Sequence, residues 1–265
     1  MPKVGHYLPL GKISVVRLLQ KLYNYLPSKF RFFIQASWLN YYLYVLYSLL
    51  ISKTREFYSQ TGEDELLRKY LPENSGSYVD VGSGQPVRGS NTYFFYKRGW
   101  RGTLIDPVKF NSRLTKLFRR RDTFVRNIVS SKNTPLNFYE FYPAEYSTIE
   151  KSVAEDLVKK GIKLKSEVNL NPISLASLNL TYQPLDPTLL SIDVEGHDLE
   201  VLNSNNWFAF KPRVICVEEN ISGNKQAGSK IANYLIAHRY KFVESTDISS
   251  IYVHIDYLES VDIST

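Results

Sequence analysis

The run Ser191-Ile192-Asp193-Val194-Glu195-Gly196-His197-Asp198 sets two carboxylates at alternate positions of an apolar stretch, with an imidazole two residues further on. Alternation at the end of a strand places Asp193 and Glu195 on one face. Two converging carboxylates repel each other unless a proton or a metal lies between them. A second apolar run delivers Glu218, Glu219 and Asn220. Asp193 with Glu218 and Glu219 or Asn220 would make an all-oxygen set suited to magnesium, calcium or manganese. Glu219 and Asn220 serve equally well as surface groups or caps of a following helix. Asp193, Glu195 and His197 are candidates for taking a proton from an acceptor, and His197 reads equally as a turn residue after Gly196.

A second chemical signal is Tyr78-Val79-Asp80-Val81-Gly82-Ser83-Gly84, a short apolar strand ending in an acid and a glycine turn. Gly82 and Gly84 would let the backbone approach a ligand with no Cβ in the way. Asp80 offers its carboxylate to a cationic amino group, which favours S-adenosylmethionine. A phosphate fingerprint wants a third glycine where Val87 stands, so the dinucleotide reading loses ground. An ordinary connection after a strand has the same look. Asp106 follows at the end of the next strand, about 25 residues beyond Asp80, the place of an acid that binds both hydroxyls of a ribose. Pro107 keeps an Asp-Pro turn open as the alternative.

These acids require strands that end together. Apolar runs predict strands at Ser77 to Val81, Gly102 to Ile105, Thr123 to Val129, Leu189 to Val194 and Val214 to Glu218, then near Tyr240 to Glu244 and Ile251 to Ile255. Helices are expected at Asn91 to Lys97, Lys109 to Arg119, Leu199 to Asn203 and Gln226 to His238. The alternation gives a Rossmann-like, doubly wound α/β fold on a mostly parallel seven-stranded sheet. Asp80, Asp106, Asp193 and Glu218 then share the carboxyl edge, where such sheets bind ligands. Residues 132–186 form an insert placed to shape a substrate pocket. Its rings Tyr139, Tyr142 and Tyr146 would stack on sugar faces or fill core.

Composition narrows the field. The chain has 265 residues, 43% of them apolar, enough for one sizeable core. The net charge is +7, yet residues 1–55 hold eight Lys or Arg and no acid, leaving 25 basic and 26 acidic groups beyond them. A nearly neutral body excludes a nucleic-acid partner that would need clustered cations. The cluster Arg119-Arg120-Arg121, which fits a solvated cap at a helix end or a phosphate site, reads as the cap, which the helix dipole favours. The one cysteine, Cys216, excludes an internal disulfide and favours the cytoplasm. Met1 to Gly11 lacks the apolar core of a usual secretory signal.

The organisation expected is a basic, aromatic arm over 1–56 and a catalytic domain over 57–265. Within the arm, Phe32 to Ile51 is charge-free and Pro27 separates it from an earlier helix near Ser14 to Leu26. Three readings fit it: helices packed on the body or on a second subunit of a homo-oligomer, a helix lying on a membrane surface, or a span. The tyrosines Tyr41, Tyr42, Tyr44 and Tyr47 favour an interface.

The order of motifs resembles the FkbM family of S-adenosylmethionine-dependent methyltransferases. The resemblance is carried by Tyr58-Ser59-Gln60-Thr61-Gly62-Glu63-Asp64, the turn Val79 to Gly84, Gly89-Ser90-Asn91-Thr92, Lys97 to Gly102, Ile105-Asp106-Pro107, Ile192 to Gly196 and Pro212 to Glu218. It covers about residues 57–245 and leaves out the arm. It implies a cofactor held by Asp80, Gly82, Ser90, Asn91 and Asp106, with Gln60 at the methionine end and Asn127 near the adenine. The family more often carries Glu at the second-strand acid and Asn in the glycine turn, where this chain has Asp106 and Ser83. Related sugar and natural-product O-methyltransferases use a metal at this edge, which favours magnesium or manganese here. A hydroxyl of a sugar in a glycan or glycoconjugate is the expected acceptor, with a lipid or polyketide-type small molecule as the alternative. A nicotinamide-dependent oxidoreductase would share the sheet and Asp106. A scaffold on a decayed methyltransferase fold would not need the acids to be intact.

Overall fold

The computed structural model describes residues 38–181, 188–219 and 229–260. It divides into two compact units, Met1–Glu56 and Phe57–Thr265.

In the first unit, one helix is described, α1 (Trp38–Thr54). Its start lies inside the charge-free stretch and its end runs past Ile51, with Lys53 in the last turn where a cation meets the helix C-terminus favourably. Tyr44, Ser48 and Ile51 are buried, whereas Tyr42, Leu46 and Leu49 are exposed. No helix among the described residues is long and apolar enough to cross a membrane. The earlier helix expected near Ser14 to Leu26 falls outside the described residues.

The second unit opens with α2 (Glu63–Tyr70), followed by β1 (Ser77–Val81), α3 (Tyr93–Lys97), β2 (Arg101–Ile105), α4 (Lys109–Phe118) and β3 (Thr123–Val125). The insert contributes β4 (Leu136–Tyr142), α5 (Lys151–Lys159), β5 (Lys163–Leu170) and α6 (Leu175–Thr181). Then come β6 (Leu189–Ile192), α7 (Asp198–Asn203), β7 (Val214–Glu218), α8 (Lys230–Ala237), β8 (Tyr240–Ser245), β9 (Ser249–His254) and α9 (Ile255–Ser260). The seven-stranded sheet runs β3-β2-β1-β6-β7-β9-β8. Its first five strands are parallel, and β9 is antiparallel to both β7 and β8.

Parallel strands buried on both faces need mostly apolar runs, and β1, β6 and β7 supply them apart from Ser77, Asp80, Ser191 and the terminal Glu218. Val79, Val81, Ile105, Leu190, Ile192, Ile215 and Val217 pack with Leu178, Val201, Leu202 and Leu235 from the helices into the main core. Strand order reverses between β1 and β6, so the crevice beyond their carboxyl ends is the topological switch point of the sheet.

Several expected boundaries move. β3 ends at Val125 rather than Val129, because the Asn127 N–H turns back onto Val125 O. β6 stops at Ile192, and the next residues form a turn. α3 begins at Tyr93 because the Ser90 hydroxyl accepts from the Thr92 and Tyr93 N–H groups ahead of it. α8 starts at Lys230, capped by Ser229, whose Oγ accepts from the Ala232 N–H at 2.8 Å.

One sequence reading is overturned outright. Arg119 is not a solvated cap but is wholly buried. Its Nε donates to Asp122 at 2.7 Å, and its Nη atoms donate to Tyr78 Oη at 2.7 Å, Thr92 Oγ1 at 2.9 Å and Ser90 Oγ at 3.2 Å. A guanidinium can be buried only where its donors and charge are matched, and Asp122 with these hydroxyls matches them.

Candidate active site

A cleft of about 320 Å³ opens beyond the carboxyl ends of β1, β2, β3 and β6. Its walls are the turn Val81 to Gln85, the segment Ile105 to Val108, Asn127 to Val129, and Asp193 to Glu195 with His197. Gln60 and Gly89 close one side. The insert closes another with Phe138, Ala144, Glu145, Ser147, Thr148 and Ile149.

Hydrogen bonds between strand ends hold the floor. The N–H groups of Gly82 and Ser83 both donate to Ile105 O, at 2.9 and 3.2 Å, and Asp193 N–H donates to Val81 O at 3.0 Å. Gly82 has φ +73, and a Cβ there would lie 1.8 Å from the Asp193 carbonyl oxygen. The glycine is therefore needed for the close passage of two chain turns. Gly84, at φ +55, meets nothing closer than Gly82 O at 3.9 Å. That turn is open to the cleft, and Ser83 Oγ is buried in it with no partner among the described residues. A buried hydroxyl without a partner is costly unless a ligand or water completes it.

Asp106 makes the Asp-Pro turn and still lines the cleft. Oδ1 accepts from the Val108 N–H at 2.7 Å, the bond of an Asp-Pro turn, and Oδ2 accepts from the Gly84 N–H at 3.0 Å while the residue lines the cleft. Burial pushes its pKa up to about 7, against the lowering effect of Val108 N–H, Asn111 and Gly84 N–H. Asn111, which the sequence did not single out, thus supports Asp106 from α4.

Gln60 reaches the cleft because its loop is fastened at both ends. Asp64 accepts from the Tyr58 N–H at 2.6 Å and from Ser59 Oγ at 2.6 Å, and the Gly89 N–H donates to Tyr58 O at 2.8 Å. Burial raises the Asp64 pKa to about 6 despite these bonds. Asn127 also lines the cleft, with its Oδ1 accepting from the Ile128 N–H at 2.8 Å.

Asp80, Ser90 and Asn91 stand elsewhere. None is among the residues that line the cleft. The Asp80 carboxylate accepts from Thr92 Oγ1 at 2.5 Å, Ser90 bonds Arg119, and the Asn91 amide donates to Ser191 Oγ at 3.2 Å. The expected contact of Asp80 with a cofactor amino group does not suit a carboxylate so enclosed. Its side chain points to the face of β1 that carries Tyr78, and alternation along the strand explains why.

The acidic edge is assembled differently from its expected form. Ligand atoms of Asp193, Glu195 and Glu218 all lie within 4.8 Å of one another. Glu195 joins them from a left-handed turn, φ 55, rather than from a strand. Asp198 secures that turn by accepting from the Val194 and Gly196 N–H groups at 3.3 and 3.1 Å. Glu219 is drawn away: its carboxylate accepts from Ser229 Oγ at 2.5 Å and Tyr252 Oη at 2.8 Å. Asn220 lies outside the described residues. Burial first, then the charges of Glu218, Glu195 and Asp198, raise the Asp193 pKa, and burial likewise raises that of Glu218. Such a set holds a proton or attracts a hard cation. His197 lines the cleft with its Nε2 3.5 Å from Glu150 Oε1 of the insert.

Among the insert rings, Tyr139 is core, packed with Phe141 and Ala154, and Phe138 is the aromatic residue on the cleft wall. Tyr142 lies under the Lys165 ammonium at 5.2 Å, and Tyr146 is exposed.

The family model described as the methyltransferase FkbM domain matches residues 80–243. No curated protein matches the chain. Among solved structures the chain is similar to 1,6-didemethyltoxoflavin-N1-methyltransferase of Burkholderia thailandensis, solved with S-adenosylhomocysteine, at 11% identity over 72% of this chain and 76% of that one, with a TM-score of 0.40. It is similar also to a methyltransferase from Geobacter sulfurreducens (12% identity, 90% and 96% covered, TM-score 0.40). A third is a TehB-like SAM-dependent methyltransferase from Corynebacterium glutamicum (11% identity, 81% and 97% covered, TM-score 0.41). The family match spans more than half of the chain, so the protein belongs to the FkbM methyltransferase domain family and is an S-adenosylmethionine-dependent methyltransferase.

Proposed function

We propose that the protein methylates a hydroxyl oxygen of a sugar in a glycan or glycoconjugate, with a divalent ion at the acidic edge assisting the transfer. The observation that carries this reading is the convergence of Asp193, Glu195 and Glu218 beside the cleft. An uncharged hydroxyl is a poor nucleophile, and its proton must be taken or its developing charge offset. Amine or thiol acceptors have less need of such a cluster.

The cofactor would lie across Gln60, the Gly82 to Gly84 turn, Asp106 and Asn127. The Ser83 hydroxyl, without a partner among the described residues, and the open Gly84 turn suit such a guest. When bound it supplies an electrophilic methyl group on a sulfonium. Asp106 would accept from ribose hydroxyls, since each carboxylate oxygen can take more than one bond. Asp193 or Glu195 would take the acceptor proton, and His197, whose Nε2 lies 3.5 Å from Glu150 Oε1, offers a second base. Magnesium or manganese would be held by Asp193, Glu195 and Glu218 and would lower the pKa of an acceptor hydroxyl. The insert wall, with Glu145, Ser147 and Thr148, presents the polar groups that a sugar needs.

Transfer of a labelled methyl group to a panel of free sugars and lipid or polyketide-type alcohols tests the acceptor, and repeating it in chelator tests the ion. Labelled sugar that vanishes in chelator and returns with magnesium or manganese supports the reading. Labelling of the lipid or polyketide alcohols alone overturns the sugar, and full turnover in chelator overturns the ion and leaves His197 as the base.

A further inference from the structure

The cluster Arg119-Arg120-Arg121 is only partly absorbed by the core. Arg119 is internal and Arg121 lies over the Tyr96 ring at 4.3 Å, but Arg120 is exposed. It borders a groove on the outer side of α4 and β3, lined by Ser112, Thr115, Lys116, Arg119, Arg120, Asp122, Phe124 and Arg126. This groove shares no residue with the cleft described above.

Four of the lining residues are cations and one is an acid. That acid is already spent: Asp122 accepts from Arg119 Nε, Tyr78 Oη and the Gly102 N–H, and its side chain has no exposed surface. Lys116, Arg120 and Arg126 are exposed and make no ion pair among the described residues, and Arg126 spends only its Nε, on Pro107 O at 3.0 Å. The positive face continues along α4, where Lys109 and Arg113 precede Lys116 at helical spacing and no acid interrupts them. In a body with one more acid than base beyond residue 55, this concentration of unmatched charge is a local exception. Like charges one helical turn apart repel, so their gathering costs stability unless an anion settles among them.

The net lining charge of three suits a multiply charged anion better than a carboxylate. Guanidinium forks and an ammonium match tetrahedral oxyanions, and the half-buried Ser112 hydroxyl adds a donor. We propose that this groove binds a phosphate or diphosphate group. The source is either a soluble phosphate ester or a lipid headgroup, since both present the same oxyanion.

Titration of the full chain with inorganic pyrophosphate, followed by phosphorus NMR, tests the site. Saturable binding is expected, weakening with added salt. The triple variant Lys116→Gln, Arg120→Gln, Arg126→Gln should weaken it by about tenfold or more, because three charge-assisted contacts are lost. Affinity for S-adenosylhomocysteine should stay within about twofold, which shows that the variant is folded and separates this site from the cofactor cleft. No saturable binding to the parent chain, or equal binding to the folded triple variant, overturns the proposal. Vesicles with and without phosphatidylglycerol identify the source. Anionic-vesicle binding that drops in the triple variant assigns a lipid headgroup, and vesicle binding equal in both proteins alongside the pyrophosphate difference assigns a soluble ester.

Discussion

Gly82 passes so close to Asp193 that a methyl group on the first would stand 1.8 Å from the carbonyl oxygen of the second. The turn that floors the cleft and the turn that carries the acidic edge are thereby one packed unit. Gly82→Ala must push them apart as well as bear a left-handed backbone, at a cost of about 3 kcal/mol or more, whereas Gly84→Ala has room and bears only about 1–2 kcal/mol of backbone strain. Thermal unfolding of the two variants should therefore differ, with Gly82→Ala the lower by several degrees. Equal midpoints would show that the two turns yield independently.

Arg119 and Arg120 adjoin in sequence and should behave oppositely. Arg119→Met leaves Asp122 buried without its charge partner and Tyr78, Ser90 and Thr92 without a donor. Removing one partner of a buried pair costs about 3–5 kcal/mol. Arg120→Met should leave the urea midpoint unchanged. A small loss in Arg119→Met would mean that Asp122 finds water or another cation.

These two residues also show what a sequence conceals. A run of three arginines at a helix end does not say which one turns inward, since that depends on Tyr78 and Thr92, which lie far away along the chain. The parallel sheet was legible because β1, β2, β6 and β7 are apolar runs that end in acids, a pattern local to each strand. Asp106 was legible as a cleft residue for the same reason, a strand end that faces the crevice, whereas Gln60 and Asn127 came from the family resemblance alone. Asp80 misled because the last acid of β1 was judged by position, while strand alternation sends its side chain to the Arg119 face. Glu219 misled likewise, being claimed by Ser229 and Tyr252 from later elements. Glu195 reached the acidic edge through a left-handed turn that neither periodicity nor motif encodes. The insert residues on the cleft wall carried no signal apart from their place between β3 and β6.

Asp106 should give cofactor binding a pH dependence near neutrality. Its pKa is raised to about 7 by burial, so in the folded protein the group ionises over the range pH 6–8. The sign is fixed: the neutral form stabilises the folded state below the ordinary carboxyl pKa, and that contribution is lost as pH rises through 7. Ribose hydroxyls favour the carboxylate, so affinity for S-adenosylhomocysteine should fall by about tenfold from pH 8 to pH 6. In Asp106→Asn the slope should disappear. A parent chain with flat affinity over this range would deny the carboxylate a role in binding.

The most direct measurement is a calorimetric titration of the full chain and of Asp106→Ala with S-adenosylhomocysteine at pH 8. One site per chain is predicted for the parent, and the variant should bind about tenfold to a hundredfold more weakly, since a charged acceptor of about 1.5–3 kcal/mol is removed. Absence of binding to the parent, or equal binding to a folded Asp106→Ala, would contradict the placement of the cofactor in the cleft between the ends of β1, β2 and β6.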